Sequence, residues 1–228
     1  MRLRAMPALT ALLLLSWISS SPHAEQLPGE FARIVILKPK ADQAAAFAAG
    51  YERHLAWHRD KDDPWTWRGW TFVLGERVGQ FMDGTFGHAL ANFDQAVDPA
   101  ADIADNAVNV TPYADFVSHG VYERLPAASA GAVLPDASPF LLLHTYVVVP
   151  GQEAAFETAV ARVAKGSGQR MSLFRVRVGG PVSQYLLMRP AQSFSGGAAL
   201  TPLRLPAGLA QQAQSELLRY QPQLSYVP

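Results

Sequence analysis

The most constraining feature of this sequence is an ungapped match between two of its own segments. Trp70-Thr71-Phe72-Val73-Leu74-Gly75 leads through a turn to Val78-Gly79-Gln80-Phe81, and Phe174-Arg175-Val176-Arg177-Val178-Gly179 leads to Val182-Ser183-Gln184-Tyr185. Trp70 falls on Phe174, Phe72 on Val176, Leu74 on Val178 and Gln80 on Gln184. Each segment alternates apolar and polar residues, turns at a glycine and alternates again, which is the pattern of a β-hairpin. Internal self-similarity of this kind outranks local propensity as a guide to the fold.

The match extends outward. Upstream of each hairpin stands an apolar strand, a proline turn and an amphipathic helix: Ile34 to Pro39 before a helix containing Phe47, and His144 to Pro150 before a helix containing Phe156. Downstream, helical stretches are expected over 112–122 and 207–219. Short closing strands are expected at Pro126–Ser129 and Pro222–Ser225. The order is strand, helix, hairpin, helix, strand, the β-α-β-β-α-β plan of the ferredoxin-like fold. The chain therefore divides into a leader (1–24), a first module (25–129), a linker rich in Ala, Gly and Pro (130–138) and a second module (139–228). The expected class is α+β.

A four-stranded sheet with helices on one side leaves its other face bare, and apolar residues there need a partner. Two such sheets in one chain can bury each other as stacked antiparallel sheets of an intrachain α/β barrel, so a monomer is expected. Here the sequence resembles the dimeric α/β-barrel superfamily, which includes monooxygenase-like domains of the antibiotic-biosynthesis type. The resemblance rests on "LLLHTYVVVPGQEAAFETAV" (141–160) and its looser counterpart "RIVILKPKADQAAAFAAGY" (33–51). It implies a ligand between sheet and helices. It leaves several activities open, because that superfamily includes cofactor-free oxygenases, haem enzymes and isomerases.

The first residues read as a secretory signal: Arg2 and Arg4, an apolar run from Leu9 to Ile18, then small residues up to Ala24. The run is shorter than the roughly 20 residues that span a bilayer. An exported protein, periplasmic or extracellular and with no stable membrane span after cleavage, is the expectation. There is no cysteine, so disulfides and thiolate metal sites are excluded. Basic and acidic residues balance at 19 each, and a nucleic-acid partner, which needs a basic face, is not expected.

The two copies differ where chemistry can reside. At about 100° per residue, Tyr51, His54 and His58 fall within about 40° of Phe47 and so face inward. The aligned positions of the second copy are Val160, Val163 and Ser167. Asp83 aligns with Leu187, and His88 follows it. Every tryptophan after the leader lies in the first copy: Trp57, Trp65, Trp67 and Trp70. Trp65 and Trp67 share a strand face, and Trp70 points the other way. These residues mark a pocket in the first module, with His54, His58 and Asp83 as candidate catalytic groups. Tyr51, Trp65, Trp67, Trp70 and His88 are candidate contacts to an apolar or aromatic small molecule.

Two histidines four apart on one helix face can share a metal ion, given a third ligand from Asp83 or His88. An inward imidazole can equally act as a general base, or simply be a packed side chain with satisfied hydrogen bonds. No residue is assigned as a metal ligand on sequence alone, and the cofactor stays open, with haem on a histidine as one alternative. Asp60, Asp62 and Asp63 read as a solvated loop, and His119 and His144 as structural. No glycine-rich phosphate loop and no Gly-x-Ser-x-Gly occurs, so nucleotide-dependent and serine-nucleophile chemistry have no support. Two functions from different classes remain. One is a small-molecule protein of oxygenase-like or isomerase-like type. The other is a non-enzymatic scaffold that meets a partner protein through loops such as 94–109.

Overall fold

The computed structural model describes residues 29–133 and 135–228. The leader read as a signal lies outside them. Strand β1 (Phe31–Pro39), helix α1 (Ala44–Asp60), hairpin β2 (Arg68–Leu74) and β3 (Phe81–His88), helix α2 (Pro99–Asn109) and β4 (Ala114–Arg124) make the first module. The second has β5 (Phe140–Val148), α3 (Glu153–Ser167), β6 (Ser172–Val178), β7 (Gln184–Ala191), a short α4 (Phe194–Ala198) and β8 (Ala210–Tyr220). Among the described residues no helix is long and apolar enough to cross a membrane.

The strands close into one antiparallel barrel in the order β1-β3-β2-β8-β5-β7-β6-β4, and β4 pairs back to β1. Each module thus contributes four adjacent strands, and the seams are β2 with β8 and β4 with β6. Alternation decides what faces where. Ala32, Ile34, Ile36, Trp70, Phe72 and Met82 from the first module meet Leu141, Leu143, Phe174, Val176, Leu186 and Leu218 from the second in one interior core. The opposite strand faces are covered by α1 and α3, in two separate outer cores around Phe47 and Phe156.

The hairpin alignment holds in the register. Asp83 lies opposite Val35, and Leu187 opposite His144, so the two copies superpose residue by residue there. The ends of the modules require correction. Residues expected as helices over 112–122 and 207–219 form β4 and β8, the long strands of both seams. The expected closing strands at Pro126 and Pro222 are single 3-10 turns. Residues 94–109, expected as a loop, contain α2. It starts at Asp98, whose side chain accepts from the Ala101 amide, with Pro99 at the first helical position.

Helix α2 crosses α1 at close range because residue 50 is glycine. A Cβ there would stand 2.0 Å from the carbonyl oxygen of Asn109. The aligned residue in α3 is Ala159, and in that module a five-residue helix and an irregular segment, 199–209, stand in place of α2.

Candidate functional site

The inward stripe of α1 buries Phe47, Tyr51, His54, Leu55 and His58. The first three residues after Gln43 carry no such stripe, so the buried face develops toward the C-terminal turns, where α2 lies across it. Both imidazoles are fixed through Nδ1 by carboxylates. His54 Nδ1 is 2.8 Å from Asp105 Oδ2, and His58 Nδ1 is 2.7 Å from Asp63 Oδ2. Their Nε2 atoms face each other at 3.2 Å. Asp102 Oδ1 lies 3.5 Å from His54 Nε2. The amide nitrogen of Asn106 donates to Asp102 Oδ1 at 2.9 Å and approaches His54 Nε2 at 3.3 Å.

Asp63 corrects the reading of an acidic solvated loop. It is 2% exposed and takes bonds from Trp65 N and from Trp67 Nε1, both at 2.9 Å, besides His58. Burial raises its carboxyl, but those bonds outweigh burial and hold it below the ordinary carboxylate range. For His54 the balance runs the other way. Burial pushes its pKa down, more strongly than Asp105 lifts it.

A cavity of about 40 Å³ opens between β1, β3, β4, α1 and α2. His54, His58, Tyr51, Asp83 and Trp67 line it, as expected, together with Arg33, Asp102, Asn106 and His119. Asp83 is buried, and its Oδ1 has no hydrogen-bond partner. Burial pushes its carboxyl up to about 6, against the pull of the Tyr51 hydroxyl, which donates to it. Tyr51 in turn is raised well above the ordinary phenol value by its own burial and by Asp83. The Nε of Arg33 is also buried without a partner, and the guanidinium lies over the Trp67 ring at 5.2 Å.

The remaining expected contacts lie elsewhere. Trp70 points into the barrel interior. Trp65 and His88 pack on each other at 4.7 Å and on Phe93, and His88 Nε2 bonds Thr85 Oγ1 at 2.6 Å. Neither lines the cavity, so His88 is no third ligand for the histidine pair. Asp83 shares the cavity but does not join the set of groups whose ligand atoms lie within 4.8 Å of one another, which is His54, His58 and Asp102. The residues missed in the sequence, Asp102, Asp105 and Asn106, sit on one face of α2 at i, i+3 and i+4. That spacing was visible once 99–109 is read as a helix from its Asp-Pro start.

The cavity is sized for an ion or a water, whose share of liquid volume is about 30 Å³, and not for a flat aromatic ring or a haem. A larger cavity, about 280 Å³, lies on the helix side of the second module. Leu203, Leu205, Leu209, Tyr146 and His144 line it. His144 is 2% exposed, its Nε2 is unpartnered, and burial, reinforced by the charge of Arg189, lowers its pKa to about 4.

Three solved structures place this architecture. A candidate monooxygenase from Fusobacterium nucleatum subsp. nucleatum matches with a TM-score of 0.57 and 10% identity, over 86% of this chain and 93% of that one. An anthrone oxidase-like protein matches at 0.53 and 9%, over 86% and 93%. Chlorite dismutase from Candidatus Nitrospira defluvii, in complex with imidazole, matches at 0.53 and 9%, over 85% and 91%. The fold is the dimeric α/β barrel, closed within one chain. No family model matches the sequence, and no curated protein matches it. At these identities the likeness carries the barrel and not the chemistry, and the imidazole–carboxylate cluster is described from this chain alone.

A stability test isolates Asp83. The folded chain keeps its proton up to about pH 6, whereas an unfolded aspartate loses it near 4. Stability therefore falls as pH rises through that window. Asp83→Asn keeps an acceptor for Tyr51 and removes the charge. It is expected to raise stability by about 2–3 kcal/mol at pH 7 and to have little effect below pH 4. Urea unfolding at the two pH values, with chelator present, checks this. Equal effects at both would show that Asp83 titrates normally.

Proposed function

We propose that this chain is an exported small-molecule enzyme of oxygenase or isomerase type, with its reaction centre in the first module. One arrangement supports the reading: two imidazoles, each braced at Nδ1 by a carboxylate, present Nε2 to a polar cavity that also holds the unpartnered Asp83 Oδ1. Packing does not require it, because the second module builds the same sheet and first helix with Leu187, Val163 and Ser167 at those positions. A carboxyl with a pKa near 6 suits proton abstraction from a carbon acid at neutral pH. The proton passes to Asp83 Oδ1, and the guanidinium of Arg33 faces the anion that forms. Only the C–H edge of a substrate meets the mouth of the cavity. Its body lies over Phe116, which forms part of the rim and is 48% exposed.

Anthrone, named for one structural neighbour, is a suitable probe, because loss of its acidic proton can be followed by deuterium exchange and its oxidation by dioxygen uptake. The chain is expected to accelerate exchange, uptake or both. His54→Val with His58→Ser, which copies the second module, is expected to reduce the rate by about 100-fold or more while the barrel stays folded by circular dichroism. Wild-type rates equal to buffer would favour the scaffold reading, and an accelerated but unchanged rate in the double variant would remove the histidines from the reaction centre.

A second reading is favoured by the unpartnered His144 Nε2 at the larger cavity: a binding protein whose ligand lies in the second module. Probe binding lost in His144→Leu and retained in the double variant would select it. Export is tested separately. The released chain is expected to begin at or near Glu25 by intact mass and to run as a monomer in light scattering. A soluble exported product that retains Met1 would count against the signal.

A further inference from the structure

We infer that His54, His58 and Asp102 form a mononuclear site for a first-row divalent cation, with Asp105 and Asp63 as the outer carboxylates that hold the two imidazoles. The inference deepens the reading of this cavity as a reaction centre and rests on it for the chemistry the ion would serve.

The geometry carries it in three steps. The first is the tautomer. Each Nδ1 lies against a carboxylate oxygen, at 2.8 Å for His54 and 2.7 Å for His58, so each Nδ1 carries a hydrogen, and a neutral ring held in this way presents its Nε2 lone pair. This is the outer shell that metal-bound histidines ordinarily have, and here both have it. The second is the distance. Ligand atoms about 2.0–2.1 Å from a zinc-like ion stand about 2.9 Å apart at a right angle and about 3.3 Å apart at the tetrahedral angle. The two Nε2 atoms are separated by 3.2 Å, and His54 Nε2 and Asp102 Oδ1 by 3.5 Å. Two such lone pairs at 3.2 Å repel unless a cation, a proton or a metal ion, lies between them.

The third step is composition and room. Two imidazoles and one carboxylate suit zinc, iron and neighbouring divalent ions, and three protein ligands leave positions open for water or substrate. The surroundings are acidic: Asp63, Asp83, Asp102 and Asp105 surround the pair, and Arg33 is the only basic side chain other than histidine that lines the described cavity. A volume of about 40 Å³ admits the ion and one small ligand. The Asn106 amide nitrogen, which touches both His54 Nε2 and Asp102 Oδ1, is the protein group that competes for these atoms.

The site also explains the crossing of α1 and α2. The i, i+4 histidines come from α1, while Asp102 and the brace Asp105 come from α2, so the ion would join the two helices where Gly50 lets them approach. The second module has neither the ligands nor the helix.

The test is calorimetric titration of the chelator-treated full chain with Zn²⁺ and, separately, with Co²⁺, whose visible absorption reports its ligands. One equivalent per chain is expected to bind, with a rise in melting temperature. Asp102→Asn is expected to weaken binding at least 10-fold, and Asp105→Asn by about 10–100-fold, as a brace that acts through His54. His54→Val with His58→Ser is expected to abolish both binding and the Co²⁺ spectrum while circular dichroism stays native. Absence of binding to the wild-type chain would overturn the inference and leave a proton shared between the two Nε2 atoms. Equal binding by the wild type and the double variant would overturn it too, by placing the ion elsewhere. The two readings fail separately. Probe turnover by metal-free chain that binds no ion removes the metal and keeps the reaction centre. One bound ion at these ligands without turnover supports the site and removes the proposed reaction.

Discussion

Replacing Arg77 with alanine is expected to destabilise the chain by about 3–5 kcal/mol, the cost of leaving a buried charge without its partner. Glu216 on β8 is 1% exposed, yet its carboxylate accepts from three groups of Arg77: the backbone N at 3.1 Å, Nε at 2.8 Å, and Nη2. Arg77 belongs to the turn between β2 and β3, so this contact ties the first module to the second beside the β2–β8 seam. Its guanidinium also covers the Phe72 ring at 4.4 Å. Urea unfolding measures the loss. The companion Arg77→Ala with Glu216→Gln is expected to recover most of it, since no charge is then stranded. A loss below about 1 kcal/mol would mean that water reaches Glu216 in the variant.

Trp70→Ala is the second large effect, about 3–5 kcal/mol for an emptied aromatic site. Trp70 is fully buried in the barrel interior, 6.3 Å from Phe86 of its own module and 5.8 Å from Tyr220 of the other. Because that core belongs to both modules, the variant is expected to unfold in one transition at a lower midpoint. Two resolved transitions would show that the modules hold separate cores. Trp70→Phe is expected to cost less, and its loss of the indole N–H is neutral, because Nε1 has no partner inside the barrel.

The sequence was most legible where side-chain period and turn chemistry agree. The hairpins repeat with period two, and their register places Asp83 and Leu187 at equivalent positions. The inward turn of α1 follows from Phe47, Tyr51, His54 and His58 alone. The seam strands were misread for a physical reason. Strand β8 reads AQQAQSELLRY, residues that favour a helix in isolation, and it is held extended by pairing with β2 and β5. In β4 the stretch Asp115–Val117 is exposed, so burial there does not alternate. The half of the site on α2 was hidden by the same error. Once 112–122 took the helix assignment, Asp102 and Asp105 fell in a loop and lost their common face. Asp63 could not be told from its exposed neighbours, because its burial comes from Trp67 and from Tyr226, whose hydroxyl bonds the Asp63 carbonyl from the far end of the chain at 2.9 Å.

Joining the two halves of the barrel in one chain changes how substitutions accumulate. In a barrel made from two identical subunits, a buried carboxylate or imidazole appears twice, and its cost to stability is doubled along with it. Here Asp83 and Leu187 occupy matching positions but can diverge independently. One half carries the desolvated acids, the facing histidines and the unpartnered Arg33 Nε, while the other has apolar Leu187 at the matching place and an unpartnered group of its own, His144 Nε2, at a different one. The interior core that both share supports either half against such a cost. An unpaired polar group that a symmetric assembly would have to bear twice is thereby borne once, and the matching position in the other half remains free to stay apolar.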